Sequence, residues 1–217
     1  MSRKKILILD YSVSRFEASA IGQWMPQDAE VTSLFIDTEE SFPENLIDDI
    51  EFTYDRGNYE IRNHVTCKWR KDNYAPKIYM TLPGATRFDL LEYVNLYCLD
   101  TLRYNDVKFY SLGTGDIHLL VNGNKLRIQS DYVADITVKG KVNSLSMYYE
   151  ELGRFYGQEL YANEINIKHN GENTVNLYPV KSLKAQLVNI GDIKIYHKPE
   201  ILEVTEEDTG RLFIINK

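Results

Sequence analysis

Along the second half of this chain, apolar and polar residues alternate in short pairs, and the pairs return about every nineteen residues. The recurring phrase is a small or acidic corner followed by two apolar residues with a polar one between them. It reads Gly115-Asp116-Ile117-His118-Leu119, Ala134-Asp135-Ile136-Thr137-Val138 and Gly191-Asp192-Ile193-Lys194-Ile195. Looser copies are Gly153-Arg154-Phe155-Tyr156-Gly157 and Asn173-Thr174-Val175-Asn176-Leu177. The corners fall at 116, 135, 154, 174 and 192, in steps of 19, 19, 20 and 18. Alternation with a period of two predicts strands, because successive side chains point to opposite faces. A short, steady repeat predicts a solenoid, in which no copy buries its own face and each must stack on the next.

A second apolar pair follows each corner phrase: Leu126/Ile128, Leu145/Met147, Ile165/Ile167 and, less cleanly, Ala185/Leu187. Each repeat therefore reads as two short strands, with turns at segments such as Val121–Asn124 and His169–Glu172. One segment has a competing pattern. Leu145, Tyr148, Tyr149, Leu152 and Tyr156 also fit helical spacing, and Glu150-Glu151-Leu152 favours a helix. The copies at 126 and 165 are plainly β, so residues 144–160 are expected to keep the strand register.

The first third is less regular. Lys5–Ser14, Val31–Ile36, Glu60–Val65 and Pro76–Pro83 alternate as strands do, the last with prolines at its ends, where a sheet tolerates them. Arg56-Gly57 and Asn58-Tyr59 read as a hairpin turn and Gln23–Asp28 as another turn. Pro43–Ile50 reads as a short helix with a solvated acidic face; its carboxylates lack calcium-loop spacing.

These readings assemble into one all-β domain over 1–217: N-terminal capping or early rungs at 5–87, a regular parallel β-solenoid at 88–200 and a tail at 201–217. An open rung is an unpaired edge, and the acidic Glu203–Asp208 run is placed to blunt it by charge.

Composition narrows the function classes. A net charge of −7 and an isoelectric point near 5.2 leave no basic footprint for nucleic acid or anionic lipid. No apolar run approaches the length of a membrane helix, and Ile6–Leu9 is interrupted by Asp10, unlike a secretory signal. Sixteen tyrosines against eight phenylalanines suit half-buried strand faces. Cys67 and Cys98 are too few for a disulfide framework, and whether they pair stays open. With His64 and His118 they lack the tight paired spacing of structural zinc, so no metal or cofactor is expected.

No nucleophile elbow, P-loop, dinucleotide fingerprint or zinc-protease helix is present, and the four histidines are scattered. Asp116, Asp135 and Asp192 invite comparison with a glycosidase carboxylate pair. They share one corner of the repeat, however, where aspartate is favoured because it accepts from turn amides. The outward positions are the better candidates. If Ile117, Ile136, Phe155, Val175 and Ile193 point inward, then His118, Thr137, Tyr156, Asn176 and Lys194 point out. Two residues further on stand Leu120, Lys139, Gln158, Tyr178 and Tyr196. Tyr156, Tyr178 and Tyr196 would then share a face able to stack on sugars or anchor a protein.

With its repeated Gly-Asp-Ile phrases and the closing Gly191–Pro199 segment, the chain resembles the putative auto-transporter adhesin, head GIN domain family of bacterial extracytoplasmic proteins. Phe16–Ser19, Glu44–Ile50 and Lys77–Pro83 carry further likeness, over about residues 5–200. Corners such as Glu151-Leu152-Gly153-Arg154-Phe155 are bulkier than the Ser-Gly corners usual in that family. The resemblance implies a right-handed parallel β-solenoid and a place in the periplasm or on the cell surface; it transfers no catalytic residues. The expected function is a non-enzymatic adhesin-like or scaffold module that binds a glycan or surface protein, with self-association left open. The alternatives are a polysaccharide-acting β-helix enzyme and a purely architectural spacer.

Overall fold

The computed structural model describes residues 5–12, 16–19, 34–37, 50–55, 58–63, 77–81, 87–90, 93–98, 101–150 and 152–215, and every regular element among them is a β-strand. In the repeat region these are β7 (Arg87–Leu90), β8 (Tyr93–Cys98), β9 (Leu102–Ser111), β10 (Ile117–Ser130), β11 (Ile136–Tyr149), β12 (Phe155–His169), β13 (Val175–Leu187), β14 (Ile193–Ile195), β15 (Ile201–Glu206) and β16 (Leu212–Ile214). From β9 to β13 each strand pairs in parallel with the next. At the end β13 pairs in parallel with both β14 and β15, and β14 with β16. The result is a parallel β-solenoid of about six turns.

The pairing register converts the sequence phrase into ladders. Ile117 lies beside Ile136, Ile136 beside Phe155, Phe155 beside Val175 and Val175 beside Ile193. All five are essentially inaccessible to solvent. The second pair stacks as Leu126–Leu145–Ile165–Leu183 and Ile128–Met147–Ile167–Ala185, also buried; the last copy is therefore Leu183/Ala185 and not the expected Ala185/Leu187, since Leu187 lies beside His169. Like side chains therefore sit one strand spacing apart, about 4.8 Å. Each buried Leu, Ile or Phe contributes roughly 1.5–3 kcal/mol relative to exposure. At the first turns the core is aromatic, with Phe88 and Phe109 stacked at 4.6 Å.

The helical alternative for residues 144–160 is not taken up among the described residues: β11 runs through Leu145–Tyr149 with alternating burial, and β12 opens at Phe155. The expected division of each repeat into two strands needs correction. The ladder continues through Asn122↔Lys141 and Gly123↔Val142, so Val121–Asn124 is a bend within one long strand and not a break. The corner shows in the burial, which alternates at Ile117, Leu119 and Val121 and resumes at Leu126, Ile128 and Ser130. The odd step between Val121 and Leu126 turns the chain while keeping both halves facing the same core. Gly140 serves this bend with φ of 124°, and a Cβ there would lie 1.9 Å from the Val121 carbonyl oxygen. The turn read at His169–Glu172 does separate two strands.

The N-terminal strands are β1 (Lys5–Ser12), β2 (Phe16–Ser19), β3 (Leu34–Asp37), β4 (Ile50–Asp55), β5 (Asn58–Asn63) and β6 (Lys77–Thr81). They extend the ladders in the antiparallel sense. β1 joins β8 to β6, and β3 follows β6; β2 joins β7 to β5, and β4 follows β5. The edge of the first turn is thus occupied by antiparallel partners. Asp55 opposite Asn58 closes the hairpin read at that point, with Arg56 and Gly57 outside the described residues. Ile50, expected at the end of a helix, opens β4. The turn read at Gln23–Asp28, the rest of that helix, His64 and Cys67 lie outside the described residues. Cys98 is buried on β8.

Candidate functional site

Each repeat begins at a corner, and there the backbone sets the chemistry. The carboxylate of Asp135 accepts the backbone N–H of Arg154 at 2.8 Å, and that of Asp192 accepts the N–H of Arg211 at 3.0 Å. Asn95 does the same for Asp116 at 2.7 Å, using its amide oxygen. In each case a corner side chain satisfies the corner amide one turn later, a bond the parallel ladder does not supply. The recurrence at Asn95, Asp135 and Asp192 is what a capping duty requires. The series also reaches one turn beyond the phrase at both ends, to Asn95 and Arg211.

The first half of each turn presents an outward face of half-buried side chains that ends on the exposed Phe213. Tyr97, His118, Thr137, Tyr156, Asn176, Lys194 and Phe213 follow one another across adjacent strands. Tyr97 and His118 stack at 4.7 Å with their rings nearly parallel. Tyr156 stands between Thr137 and Asn176. The hydroxyl of Tyr196 donates to the Asn176 side-chain oxygen at 3.2 Å, while the Asn176 amide donates to the Phe155 carbonyl at 3.1 Å.

The neighbouring column departs from a strict repeat. Lys139 faces Glu159 rather than Gln158, forming an ion pair at 2.9 Å, and Tyr178 faces Tyr161. A β-bulge in β12 is the cause: Gly157 is buried, Gln158 and Glu159 both point outward, and Leu160 returns to the core. Gly157 leaves no room for a side chain, since a Cβ would lie 2.5 Å from the Phe155 ring and 2.8 Å from the Asn176 carbonyl. The bulge delivers Tyr161, 44% exposed, to the edge of Tyr178 at 4.7 Å. On its other side Tyr178 stacks on His197 at 5.4 Å.

Tyr156 and Tyr196 meet at Asn176, by strand pairing and by hydrogen bond, whereas Tyr178 stands in the neighbouring column between Tyr161 and His197. Reading the repeat missed Tyr161, Tyr97 and His197 as members of this surface. The extra residue in the twenty-residue step from Arg154 to Thr174 was the available signal for the bulge. The surface is an aromatic one with hydroxyl, amide and ammonium groups between the rings. Such a surface suits ligands that combine apolar ring faces with polar edges.

No helix among the described residues is long and apolar enough to cross a membrane. Among the described residues no cluster of three or more His, Cys, Asp or Glu is placed to hold a metal ion.

No curated protein shows significant similarity to the chain. A crystal structure of a putative adhesin from Bacteroides fragilis superimposes with a TM-score of 0.68 at 19% identity, covering 80% of this chain and 79% of that one. The likeness at that identity is one of fold. Residues 41–199 match the sequence model of the putative auto-transporter adhesin, head GIN domain. The chain belongs to that family.

Proposed function

We propose that this domain is a non-enzymatic, adhesin-like recognition module working outside the cytoplasm, and that the aromatic face around Tyr156, Tyr161, Tyr178 and Tyr196 meets its ligand. The observation that carries the reading is the Tyr161–Tyr178–His197 row, where rings from three successive turns pack at 4.7 and 5.4 Å on the outside of the solenoid. Aromatic rings in the core need no further account. A row of them outside it, bordered by Asn176 and Lys194, is the arrangement that stacks on sugar rings or anchors a protein partner. Family membership and the shared fold with a protein described as an adhesin support a surface role, and with it a periplasmic or cell-surface location.

The rival carbohydrate-active reading asks for carboxylates free to converge on a glycosidic bond. Asp135 and Asp192 each commit a carboxylate oxygen to a backbone amide, which favours recognition over hydrolysis. A glycan array and a pull-down from outer-surface extracts, run with the parent domain and with a Tyr156→Ala, Tyr178→Ala, Tyr196→Ala variant, test the proposal. Ligand retained by the parent and lost by a folded variant is the expected result. A parent that binds nothing in either format removes the recognition reading and leaves the spacer role.

A further inference from the structure

The second half of each turn presents another outward face, and its charge runs against that of the whole. The chain is acidic overall, at −7. Yet an open depression of about 370 Å³ on this face is lined by three cations, Lys108, Arg127 and Lys168, and by no carboxylate. The rest of its lining is neutral: Gln129, Ser146 and Asn166 supply hydrogen-bonding groups beside Ile128, Met147 and Tyr148.

The cations are held in place by their neighbours. The Lys108 ammonium sits 5.3 Å from the centre of the Tyr110 ring, and that of Lys168 sits 5.6 Å from the centre of the Tyr148 ring. Such cation–π contacts keep an ammonium positioned without neutralising it. Lys108 also donates to the Gln129 side-chain oxygen at 3.4 Å. Arg127 is paired with Asp106 at the rim, and this exposed pair is weakly held and leaves other guanidinium donors for a ligand. Two further acidic groups lie beyond the lining. Glu150 accepts from the Tyr148 hydroxyl and from Asn170 and feels the charge of Lys168, and Asp131 accepts from Gln129 through one oxygen at 3.3 Å.

The pairing register sets the spacing. Lys108 and Arg127 are adjacent, and Arg127, Ser146 and Asn166 lie on successive strands, with Lys168 two residues beyond Asn166. At about 4.8 Å per strand and about 3.3 Å per residue along it, Arg127 and Lys168 are separated by roughly 12 Å, with neutral donors and acceptors between them. A carbohydrate chain with an acidic group at intervals and hydroxyls between matches that pattern. We infer that this depression is a second binding site, distinct from the aromatic face, for an acidic oligosaccharide whose carboxylate or sulfate groups meet Arg127 and Lys168 while its hydroxyls bond Gln129, Ser146 and Asn166. Neutral saccharides leave the cations unmatched and are disfavoured.

Calorimetric titration at low salt with an oligogalacturonate, which carries carboxylates only, and with a carrageenan oligosaccharide, which carries sulfates only, beside a neutral cello-oligosaccharide, tests this. The two acidic probes separate carboxylate from sulfate as the recognised group. Binding of at least one of them, with no measurable binding of the neutral chain, is expected. Arg127→Ala and Lys168→Ala each weaken it about tenfold, and Lys141→Ala, an exposed cation outside the depression, leaves it unchanged. The aromatic-face variant Tyr156→Ala, Tyr178→Ala, Tyr196→Ala retains this binding, which keeps the two sites separable. Absence of binding by both acidic probes overturns the inference. So does an equal loss in Lys141→Ala, or equal affinity for a single-stranded oligonucleotide of the same charge, since either marks general attraction of anions.

Discussion

Asp135 accepts the backbone N–H of Arg154, nineteen residues further along the chain, at 2.8 Å. One carboxylate thus ties two successive turns at their corners. Replacing it by alanine leaves that amide without its partner and removes about 1 kcal/mol of stability. Asp135→Asn keeps an acceptor oxygen, as Asn95 shows by accepting from Asp116 in the same way, and loses much less. Urea denaturation of the two variants gives the comparison. Equal losses would mean that charge, not hydrogen bonding, is what the corner uses.

Glycine at 140 is required by the bend. Its φ of 124° is strained for any other residue, and a Cβ would sit 1.9 Å from the Val121 carbonyl oxygen. Backbone cannot yield as a side chain would. Gly140→Ala should therefore cost at least about 2 kcal/mol, read as a lowered denaturation midpoint. A midpoint equal to the parent's would contradict the bend described for β10 and β11.

The bulge in β12 reverses which residues face the core, and adjacent substitutions report on it. Leu160→Ala, at a 1% exposed position, should cost about 2–5 kcal/mol. Tyr161→Ala, one residue on and 44% exposed, should cost less than about 1 kcal/mol. The opposite ranking in chemical denaturation would mean that the repeat continues through this point without an inserted residue.

His169 makes stability depend on acid. Its ring is buried, donating through Nε2 to the Asn173 carbonyl at 2.9 Å. Burial holds its pKa below the ordinary value, against the opposing pull of the Asn173 and Tyr149 carbonyls and the Asp192 carboxylate. With a depressed folded pKa, the unfolded chain takes up the proton first as pH falls. The contribution is complete above about pH 6.5 and is lost as pH drops through the folded value. The urea midpoint should fall between about pH 7.5 and 5.5, and the fall should be shallower in His169→Gln. Parallel slopes for both proteins would remove His169 from the account.

Much of the architecture could be read from residues whose role repeats. Ile117, Ile136, Phe155, Val175 and Ile193 recur because the same inward slot must be filled on every turn, and all five are buried. The strand at Ser144–Tyr149 was recoverable from its copies, although its local spacing also suited a helix. What escaped were features that break the repeat or sit beneath it. Tyr161 reaches the aromatic face through an inserted residue that alternation does not anticipate. Asn105–Asn124 and Asn143–Asn163 form side-chain hydrogen bonds across adjacent strands at 3.3 and 3.0 Å, a second corner series masked by its variable surroundings. Asn95 and Arg211 lack the Gly-Asp signature because only the acceptor or the amide is needed there. The antiparallel sense of β1 and β2 depends on long-range pairing that local pattern does not encode. The cation-lined depression joins residues from four strands, each unremarkable in its own segment.

We assign the row containing Tyr161 and Tyr178 as a recognition surface. Calorimetric titration of the strongest ligand from the glycan array, against the parent and a Tyr161→Ala, Tyr178→Ala variant whose folding is checked by circular dichroism, tests it most directly. Affinity at least about tenfold weaker in the folded variant is predicted. Equal affinity in the two proteins would contradict the claim.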